Sequence, residues 1–476
     1  MKMISVEFGH TSNPDQSGFA SAQRLINGYA EAAGQTAKAP LPVYAVPGTV
    51  RFDAASNPLS GPCRGMLNVY GKGLYVIGGT QVALFAADGT ATLCTGTVPG
   101  NDVASMAVNQ NGTPQIGIVS NGTYSVLDTG ANAITQPGLA NLPSPNSVTF
   151  LDGYLVFSIP NGRMYHTDLN DALTVNALAY GTIASRAGQF QRVVTFRGAL
   201  ICLKDTSFEI WEDAGTTPFA FARIRANIDI GCVAPASVAD VAETLIWVDQ
   251  NSIVRQLTAS EPERISIHAL ERAIDALTAT ERASLYGVYT QYAGHACYAL
   301  TSPYWTWEFD LATKLWRERA SSGLPNWFAR GFAQYAGFSL VGSQSDAHLH
   351  AINAAAMTES GNPFIFTAQS APVHAFPKGL AFHRFDVDVI PGVGVTGTDA
   401  DAASPQIMLD WSDDGGRTWK GGRTASLGNA GERMKKVSFH QLGTCGRNGR
   451  TFRLSASSSV MRGIFQAIAS VTPISA

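Results

Sequence analysis

The chain has 476 residues, of which 45% are hydrophobic and only 14% are charged, and its formal net charge is −3. This balance excludes binding of nucleic acid through a global basic field. No apolar run reaches the roughly 20 residues that a membrane-spanning helix needs. The low charge and the 47 glycines favour many short strands joined by tight turns.

Residues 1–61 show little periodicity, which predicts a partly irregular N-terminal segment. The start of the chain has no apolar core of signal-peptide length. The six cysteines form no C-x-x-C pair, so we expect free, buried thiols in a reducing compartment. These features predict a soluble protein that is made in the cytoplasm and either stays there or is released by lysis.

Residues 62–360 repeat one pattern seven times: an apolar strand, a turn with Gly, Asp or Asn, a second apolar strand and a polar turn. A period of about 40–50 residues with four strands per unit is typical of a β-propeller, whose stacked blades cover each other's apolar faces. The sequence predicts six or seven blades, because one irregular or split repeat would leave six. The first turns of the seven repeats fall near Lys72, Asn111, Asp152, Arg197, Glu243, Ala293 and Ala336.

Within the repeats, the stretch RISIHALERAIDALTATERA has helical periodicity. Ile267, Leu270, Ile274 and Leu277 recur at spacings of three and four, which places them on one face of a helix. The pattern predicts a small helix inserted between two blades.

Residues 361–476 contain longer amphipathic strands and are predicted to form a C-terminal β-sandwich. The stretch VIPGVGVTGTDADAASP between two of them indicates a mobile loop. This region carries 12 Lys and Arg against 8 Asp and Glu, or +4, whereas the rest of the chain carries 21 against 28, or −7. A mildly basic domain is therefore expected beside an acidic body.

The stretch LDWSDDGGRTWKGG contains the pattern S-x-D-x-G-x-T-W, at Ser412, Asp414, Gly416, Thr418 and Trp419. This Asp-box is best known from sialidases and other propeller glycosidases, where it stabilises a turn remote from the catalytic site. The carboxylate is expected to accept hydrogen bonds from turn N–H groups, with the Trp packed beneath. Because the box occurs once and the blades show no evident arginine set, a glycoside hydrolase or glycan-binding protein is only the alternative interpretation.

No other motif points to catalysis, a cofactor or a metal. Asp346, His348 and His350 share a strand, but a zinc site needs three or four ligands, so an exposed strand is predicted. His295 is expected to bond backbone carbonyls in a turn. The run from Arg317 to Arg319 is expected to be a solvated or interface charge cluster.

A series of segments matches one family in order and spacing along nearly the whole chain. The segments RLINGYAE, VPGTVRF, CRGM, DTSFEIWED and GHACYALTSPYWTWEFDLATKLWRER lead to the C-terminal stretch that holds the Asp-box. This order resembles the tail-hub proteins of short-tailed phages, also called packaged-DNA-stabilisation proteins. The residues that carry the resemblance most directly are Asn27, Tyr29, Glu31, Pro47, Gly48, Arg64, Gly65, Trp247, Pro262, Arg264, Ile265, Ser266, His268, Leu270 and Glu271.

The resemblance implies a non-enzymatic structural protein of the virion tail, assembled in the host cytoplasm. Such proteins form a hexameric ring that extends the channel of the portal and its adaptor, retains the packaged genome and carries distal spike, fibre or needle proteins. Double-stranded DNA would slide through the lumen without sequence-specific contacts. Since phosphate contacts accumulate affinity, we expect acidic residues of 1–360 to line the channel.

Overall fold

The computed structural model describes residues 2–34, 36–53, 57–259, 261–397 and 399–475. In this part of the chain, 39 strands and three short α-helices form two β domains, a propeller and a sandwich. All six cysteines are buried and free, which confirms the expected reduced thiols. None of the helices described is long and apolar enough to cross a membrane.

The N-terminal segment contains five short strands that pair with distant parts of the chain. β1 and β4 join a sheet of the sandwich, β3 pairs with β4, β2 lies between the two domains, and β5 completes the propeller. The division of the chain at residues 61 and 360 stays a prediction, because this segment contributes strands to both domains. The five strands are β1 (Lys2–Val6), β2 (Arg24–Ile26), β3 (Gly28–Ala30), β4 (Val43–Ala45) and β5 (Gly48–Arg51).

Seven four-stranded antiparallel blades form the propeller. The turn between the first two strands of each blade lies at one of the seven positions that the repeat predicts. The strands of blades one to three are β6 (Cys63–Val69), β7 (Gly73–Gly78), β8 (Gln81–Phe85), β9 (Ala91–Leu93), β10 (Ser105–Val108), β11 (Gln115–Ser120), β12 (Thr123–Asp128), β13 (Ala133–Thr135), β14 (Ser147–Leu151), β15 (Tyr154–Ile159), β16 (Arg163–His166) and β17 (Tyr180–Thr182).

Blades four to seven continue in the same order. Blade five begins after a single 3₁₀ turn. The strands are β18 (Phe190–Phe196), β19 (Ala199–Lys204), β20 (Phe208–Asp213), β21 (Phe221–Ile228), β22 (Ala239–Val241), β23 (Thr244–Val248), β24 (Val254–Leu257), β25 (Pro262–Arg264), β26 (Tyr286–Tyr292), β27 (His295–Thr301), β28 (Thr306–Asp310), β29 (Trp316–Arg319), β30 (Ala329–Tyr335), β31 (Phe338–Ser343) and β32 (Leu349–Asn353).

Blade seven is assembled from both ends of the propeller sequence. Its first three strands are β30, β31 and β32, and its outermost strand is β5, which pairs antiparallel with β32. Leu74 and Val76 of blade one pack with Leu340 and Leu349 of blade seven in one buried cluster. The ring therefore closes with seven blades, and strand β5 ties the N-terminal segment into the last of them.

The helical stretch between blades five and six forms two helices rather than the single helix predicted, α1 (His268–Asp275) and α2 (Ala279–Ala283). Thr278 causes the break, because its side chain accepts from the Glu281 N–H while the Glu281 carboxylate accepts from the Thr278 N–H. This capping box starts a new helix. Leu270 and Ile274 pack in the cluster between blades five and six.

The C-terminal residues form the predicted β-sandwich. Phe385 stacks on Phe452 between its two sheets, with ring centroids 4.6 Å apart. The predicted mobile loop contains the helix α3 (Ala400–Ala403), and Thr398 within that loop lies outside the described residues. The sandwich strands are β33 (Phe366–Gln369), β34 (Gly379–Val389), β35 (Gln406–Ser412), β36 (Lys420–Ser426), β37 (Val437–Cys445), β38 (Thr451–Ala456) and β39 (Gly463–Ile474).

One continuous sheet of nine strands runs through both domains, in the order β26-β27-β28-β29-β2-β33-β38-β35-β36. Strand β2 pairs parallel with β29 of blade six on one side and antiparallel with β33 of the sandwich on the other. The other sheet of the sandwich has the order β3-β4-β39-β34-β37, with β1 also paired to β39. Strand β2 is thus the structural bridge between propeller and sandwich.

Candidate functional site

The bridge between the domains is fixed by an ion pair as well as by strand pairing. Arg24 on β2 directs its guanidinium to the Glu318 carboxylate of blade six, with Nε 3.0 Å from Oε1 and Nη2 on the other oxygen. The Trp316 carbonyl accepts from the Ser12 N–H at 2.8 Å and from the Thr11 hydroxyl at 2.6 Å. A bidentate guanidinium–carboxylate contact fixes the relative orientation of the two side chains as well as their distance. Strand β2 is therefore held in one register against blade six.

Asn27 connects three parts of the chain at the end of β2. Its φ of +54° lies in the left-handed region that asparagine tolerates better than most residues. Its side-chain amide donates to the carbonyl oxygens of Ala320, just after blade six, and Ile365, just before the sandwich, and its Oδ1 accepts from the Ala320 N–H. Asn27, the first of the three residues in RLINGYAE that carry the family resemblance, therefore fixes the point where the chain passes from propeller to sandwich.

Tyr29 and Glu31, the other two residues of RLINGYAE that carry the resemblance, lie against His295. The Glu31 carboxylate is 3.0 Å from His295 Nε2, and His295 Nδ1 is 2.7 Å from an Asp310 oxygen. The Tyr29 ring packs edge-on against His295 and against Tyr292. The expectation that His295 bonds backbone carbonyls is therefore wrong, because this imidazole bridges two carboxylates from different parts of the chain.

Arg317 lies at the centre of a buried charge cluster beside His295. Its Nε donates to Glu308 at 2.7 Å, its Nη1 donates to Asp310 at 3.2 Å, and its Nη2 donates to the Tyr292 hydroxyl. Arg319 Nη1 also donates to Glu308, at 3.3 Å. The side chains of Arg317, Glu308 and Asp310 are at most 2% exposed. The prediction of a solvated or interface charge cluster is wrong, because the strand pairing of β28 and β29 turns these groups into the blade.

The two positive groups control the ionisation of the Asp310 carboxyl. Burial raises its pKa, but the hydrogen bond from His295 and the charge of Arg317 outweigh burial and hold the pKa well below its usual range. In turn, the hydrogen bond to Asp310 raises the pKa of His295 above 6.5, against the effect of burial, with a further contribution from Glu31. The cluster therefore links the N-terminal segment to blade six through contacts that favour the charged forms of Asp310 and His295.

We expect the stability of the protein to decrease with rising pH through His295. Because the pKa of the imidazole is raised in the folded protein, its ion pairs stabilise fully below about pH 6.5, and the contribution is lost as the pH rises through the raised value. Urea unfolding between pH 6 and 9 should show a steeper loss of unfolding free energy for the wild type than for His295→Gln. His374→Gln, which changes an exposed histidine, is the control and should retain the wild-type slope.

The Asp-box forms the hairpin between β35 and β36. The Asp414 carboxylate accepts from the Thr418 N–H at 2.9 Å, from the Thr418 hydroxyl and from the Ser412 hydroxyl at 2.7 Å, and the Gly416 N–H donates to Ser412 Oγ at 2.8 Å. The Trp419 ring is half-buried, with the Arg453 guanidinium 4.1 Å from its centroid. The hydrogen bonds join Ser412, Asp414, Gly416 and Thr418 within one turn. The hydrogen bonds from Thr418 also hold the pKa of Asp414 below its usual range.

The N-terminal segment also packs on this hairpin. A Cβ atom on Gly18 would lie 1.8 Å from the Gly415 carbonyl oxygen, so no side chain fits between the two backbones. Gln369 Nε2 donates to the Ala22 carbonyl and fastens the same segment to β33. The Asp-box is therefore a contact surface inside the protein, at the outer end of the nine-stranded sheet.

Replacing Asp414 with alanine should lower the midpoint of thermal unfolding, because the Thr418 donors and the Ser412 hydroxyl lose their acceptor. Asp414→Asn should have a smaller effect, since its amide oxygen can still accept from the Thr418 N–H. The control is Glu263→Ala, on the exposed edge of blade five. It removes a carboxylate that stabilises no turn and should leave the midpoint unchanged. Equal midpoints for Asp414→Ala and Glu263→Ala would contradict a turn-stabilising role.

The histidines near the end of the propeller face different partners. His348 Nδ1 lies 2.6 Å from the buried Asp53 carboxylate, while His350 Nδ1 lies 2.6 Å from Ser360 Oγ. Burial lowers the pKa of His350 to about 4, so this imidazole is neutral at physiological pH. Asp346 accepts from the His348 N–H. Among the described residues, no cluster of three or more His, Cys, Asp or Glu is arranged to hold a metal ion.

Several solved structures are similar to the chain at low sequence identity. They include a streptogramin B lyase (12% identity, TM-score 0.43, 64% of this chain and 97% of that chain) and the virginiamycin B lyase of Staphylococcus aureus (10% identity, TM-score 0.44, 64% and 98%). The WD40 propeller of Doa1 is another (10% identity, TM-score 0.40, 65% and 97%). At these identities and TM-scores the likeness carries no conclusion about this chain. No curated protein sequence matches the chain significantly.

Two family models match consecutive parts of the chain, and their limits agree with the two domains. The model described as "Bacteriophage P22 Gp10, beta-propeller" matches residues 21–356, and the one described as "Bacteriophage P22 Gp10, beta-sandwich" matches residues 369–472. The first begins just before the bridging strand β2, so the matched region includes the strand that joins the two domains. The resemblance found in the sequence is confirmed: the chain belongs to the P22 Gp10 family of bacteriophage tail and DNA-stabilisation proteins, and it is a phage structural protein.

Proposed function

We propose that six copies of the chain form a ring in the short tail of the virion, where the ring extends the portal–adaptor channel and retains the packaged DNA. Family membership over both domains supports this proposal. The observation that carries it is the nine-stranded sheet that passes from blade six through β2 into the sandwich. Arg24, Asn27 and Glu31 fix the connection between the domains, so each copy would act as a rigid block. A ring that resists the pressure of packaged DNA needs such rigid subunits.

The distribution of charge supports a channel through which DNA slides. Residues 1–360 carry a net charge of −7 and residues 361–476 carry +4. Each phosphate contact with Lys or Arg adds salt-dependent affinity, so an acidic lining keeps the genome free to move. We place acidic groups of the body on the lumen and expect no sequence-specific DNA contacts. A lumen lined with Lys and Arg would contradict this arrangement.

The ring would contact three kinds of protein: other copies of the chain, the head-to-tail adaptor on the side of the capsid, and spike, fibre or needle proteins on the distal side. Assembly would take place in the host cytoplasm. The role is non-enzymatic, and the contacts of the buried carboxylates agree with it, since Glu308 and Asp310 are held by Arg317 and His295 within a blade. A structural role also accounts for the Asp-box as a turn in the sandwich.

A phage that lacks this gene tests the proposal. Particles should fill with DNA and then lose it, so that nuclease-resistant DNA per capsid falls by more than tenfold, and supply of the wild-type chain in trans should restore both DNA retention and infectivity. Particles that retain their DNA without the protein would contradict the proposal. The purified chain should hydrolyse no sialyl or other glycoside substrate, and measurable turnover would favour the glycosidase alternative instead.

A further inference from the structure

A cavity of about 430 Å³ lies at the axis of the propeller, outside the junction described above. Its walls come from the beginnings of the innermost strands of blades two to seven and the connections that lead into them. Six blades therefore contribute to one site, and the volume falls within the range of about 300–1,000 Å³ that small-molecule sites occupy. Among its lining residues are Asp102, Ser147, Gln191, Arg192, Ser284 and Arg330.

Two arginines in this wall have hydrogen-bonding capacity that the described residues do not use. Arg192 Nη1 donates to the Pro235 carbonyl at 2.6 Å, but its Nε is buried without a hydrogen-bond partner. The Nε of Arg330 is also buried without a partner, and its Nη2 has only a long contact of 3.5 Å with the Asn101 carbonyl. Neither guanidinium forms an ion pair with any carboxylate in the described part of the chain.

The one carboxylate in the wall is already engaged. Asp102 Oδ1 accepts from Arg64 Nη2 at 3.1 Å and from the Ser120 hydroxyl at 2.6 Å, and Oδ2 accepts from the Asn121 N–H at 3.0 Å. Arg64 itself is buried and satisfied by backbone carbonyls. The cavity therefore has an excess of positive charge from Arg192 and Arg330.

A buried guanidinium without a counter-charge is unfavourable, because its desolvation is not repaid by an ion pair. Burial lowers the pKa of Arg192, and no carboxylate acts in the other direction. An anion in the cavity would supply the missing counter-charge. Guanidinium groups match planar carboxylates and the oxygens of phosphate best.

We propose that the axial cavity binds a small oxyanion, a carboxylate or a phosphate, through Arg192 and Arg330. One anion binds per chain, and the polar groups of the surrounding blades complete the site. The arginines are 138 positions apart in the sequence and on the innermost strands of blades four and seven. An anion that bridges them ties opposite parts of the propeller ring together and should raise its thermal stability.

Isothermal titration of the full-length protein with inorganic phosphate and, separately, with citrate in a buffer without other oxyanions tests the site. We expect saturable binding of at least one anion, with one site per chain, and a loss of affinity of at least tenfold in Arg330→Gln and in Arg192→Gln. Binding of phosphate alone, citrate alone or both supports the proposal and identifies the preferred class. Thermal unfolding without anion shows whether each variant is folded. If Arg192→Gln does not fold, the affinity of Arg330→Gln still tests the proposal.

The matched control is Arg163→Gln. Arg163 is exposed on blade three, where its guanidinium lies over the Tyr180 ring, and its replacement removes the same charge away from the cavity. This variant should bind both anions like the wild type. The proposal is overturned if neither anion binds saturably to the wild type, or if Arg163→Gln weakens binding as much as Arg330→Gln does.

Discussion

Replacement of Arg317 with methionine should lower the free energy of unfolding by about 3–5 kcal/mol, the usual cost of leaving a buried charge without its partner. Arg317 is 2% exposed and donates to both Glu308 and Asp310. Methionine fills a similar volume but leaves the two carboxylates without this counter-charge. Because Asp310 also bonds to His295, the substitution should also weaken the contact between His295 and Glu31 of the N-terminal segment.

The matched control is Lys314→Met in the same blade. Lys314 is exposed at the turn before β29 and forms no ion pair with the described residues, so its replacement should change the free energy by no more than about 0.5 kcal/mol. Urea denaturation of the three proteins gives the comparison. If Arg317→Met is as stable as Lys314→Met, the buried cluster does not hold the junction.

Replacement of Val50 with proline should open the propeller at blade seven. The Phe52 N–H donates to the Leu349 carbonyl at 2.8 Å. In an antiparallel pair every second residue of a strand bonds to the same neighbour, so the Val50 N–H points toward its partner residue Ala351. Proline removes that donor, and the unsatisfied carbonyl alone costs about 1–3 kcal/mol. We expect a larger effect on the cooperativity of unfolding, because β5 connects the N-terminal segment to blade seven.

Hydrogen exchange measures this effect locally. In Val50→Pro, the amides of β31 and β32 should exchange at least tenfold faster than in the wild type, while those of blade three should be unchanged. The control is Val50→Thr, which retains the backbone N–H and the branched side chain. Val50 is 46% exposed, so loss of core packing does not explain a difference between the two variants. If the amides of β31 and β32 exchange no faster in Val50→Pro than in Val50→Thr, the propeller is not closed through β5.

Local chemistry explains why the blades could be predicted from the sequence. A hairpin of two residues needs positive φ at its turn, and Asp152, Arg197, Glu243, Ala293 and Ala336 all have it, four of them followed by glycine. Apolar runs on either side of such turns identify strands. The blade number stayed open because the outermost strand of blade seven, β5, lies about 300 residues before its partner β32.

The junction could not be predicted because its contacts join residues that are far apart in the sequence. Glu31 and His295 are separated by 264 positions, and Arg24 and Glu318 by 294. In the sequence, Arg317 and Arg319 alternate with Glu318 in a way that is typical of a solvated strand. Only the structure shows that β29 is paired along both edges, with β28 and β2, and that all four of its residues are buried. The resemblance to the family drew attention to Asn27, Tyr29 and Glu31 but gave no physical reason for them.

Arginines at the propeller axis were missed for a similar reason. Arg192 and Arg330 occur in different repeats with no shared motif, so the sequence shows no evident arginine set. They line the same cavity only because the innermost strands of blades four and seven begin at the same end of the propeller. A comparison of equivalent positions between the repeats is the signal that could have identified them.

The central claim is that six copies form a tail ring with a rigid propeller–sandwich unit and an acidic lumen. An electron cryo-microscopy reconstruction of tails isolated from virions tests it most directly. We predict a sixfold ring on the distal side of the adaptor, into which the propeller and sandwich fit as one body, with Asp and Glu side chains facing the channel. A different copy number, a position outside the tail or a lumen lined with Lys and Arg would contradict the account.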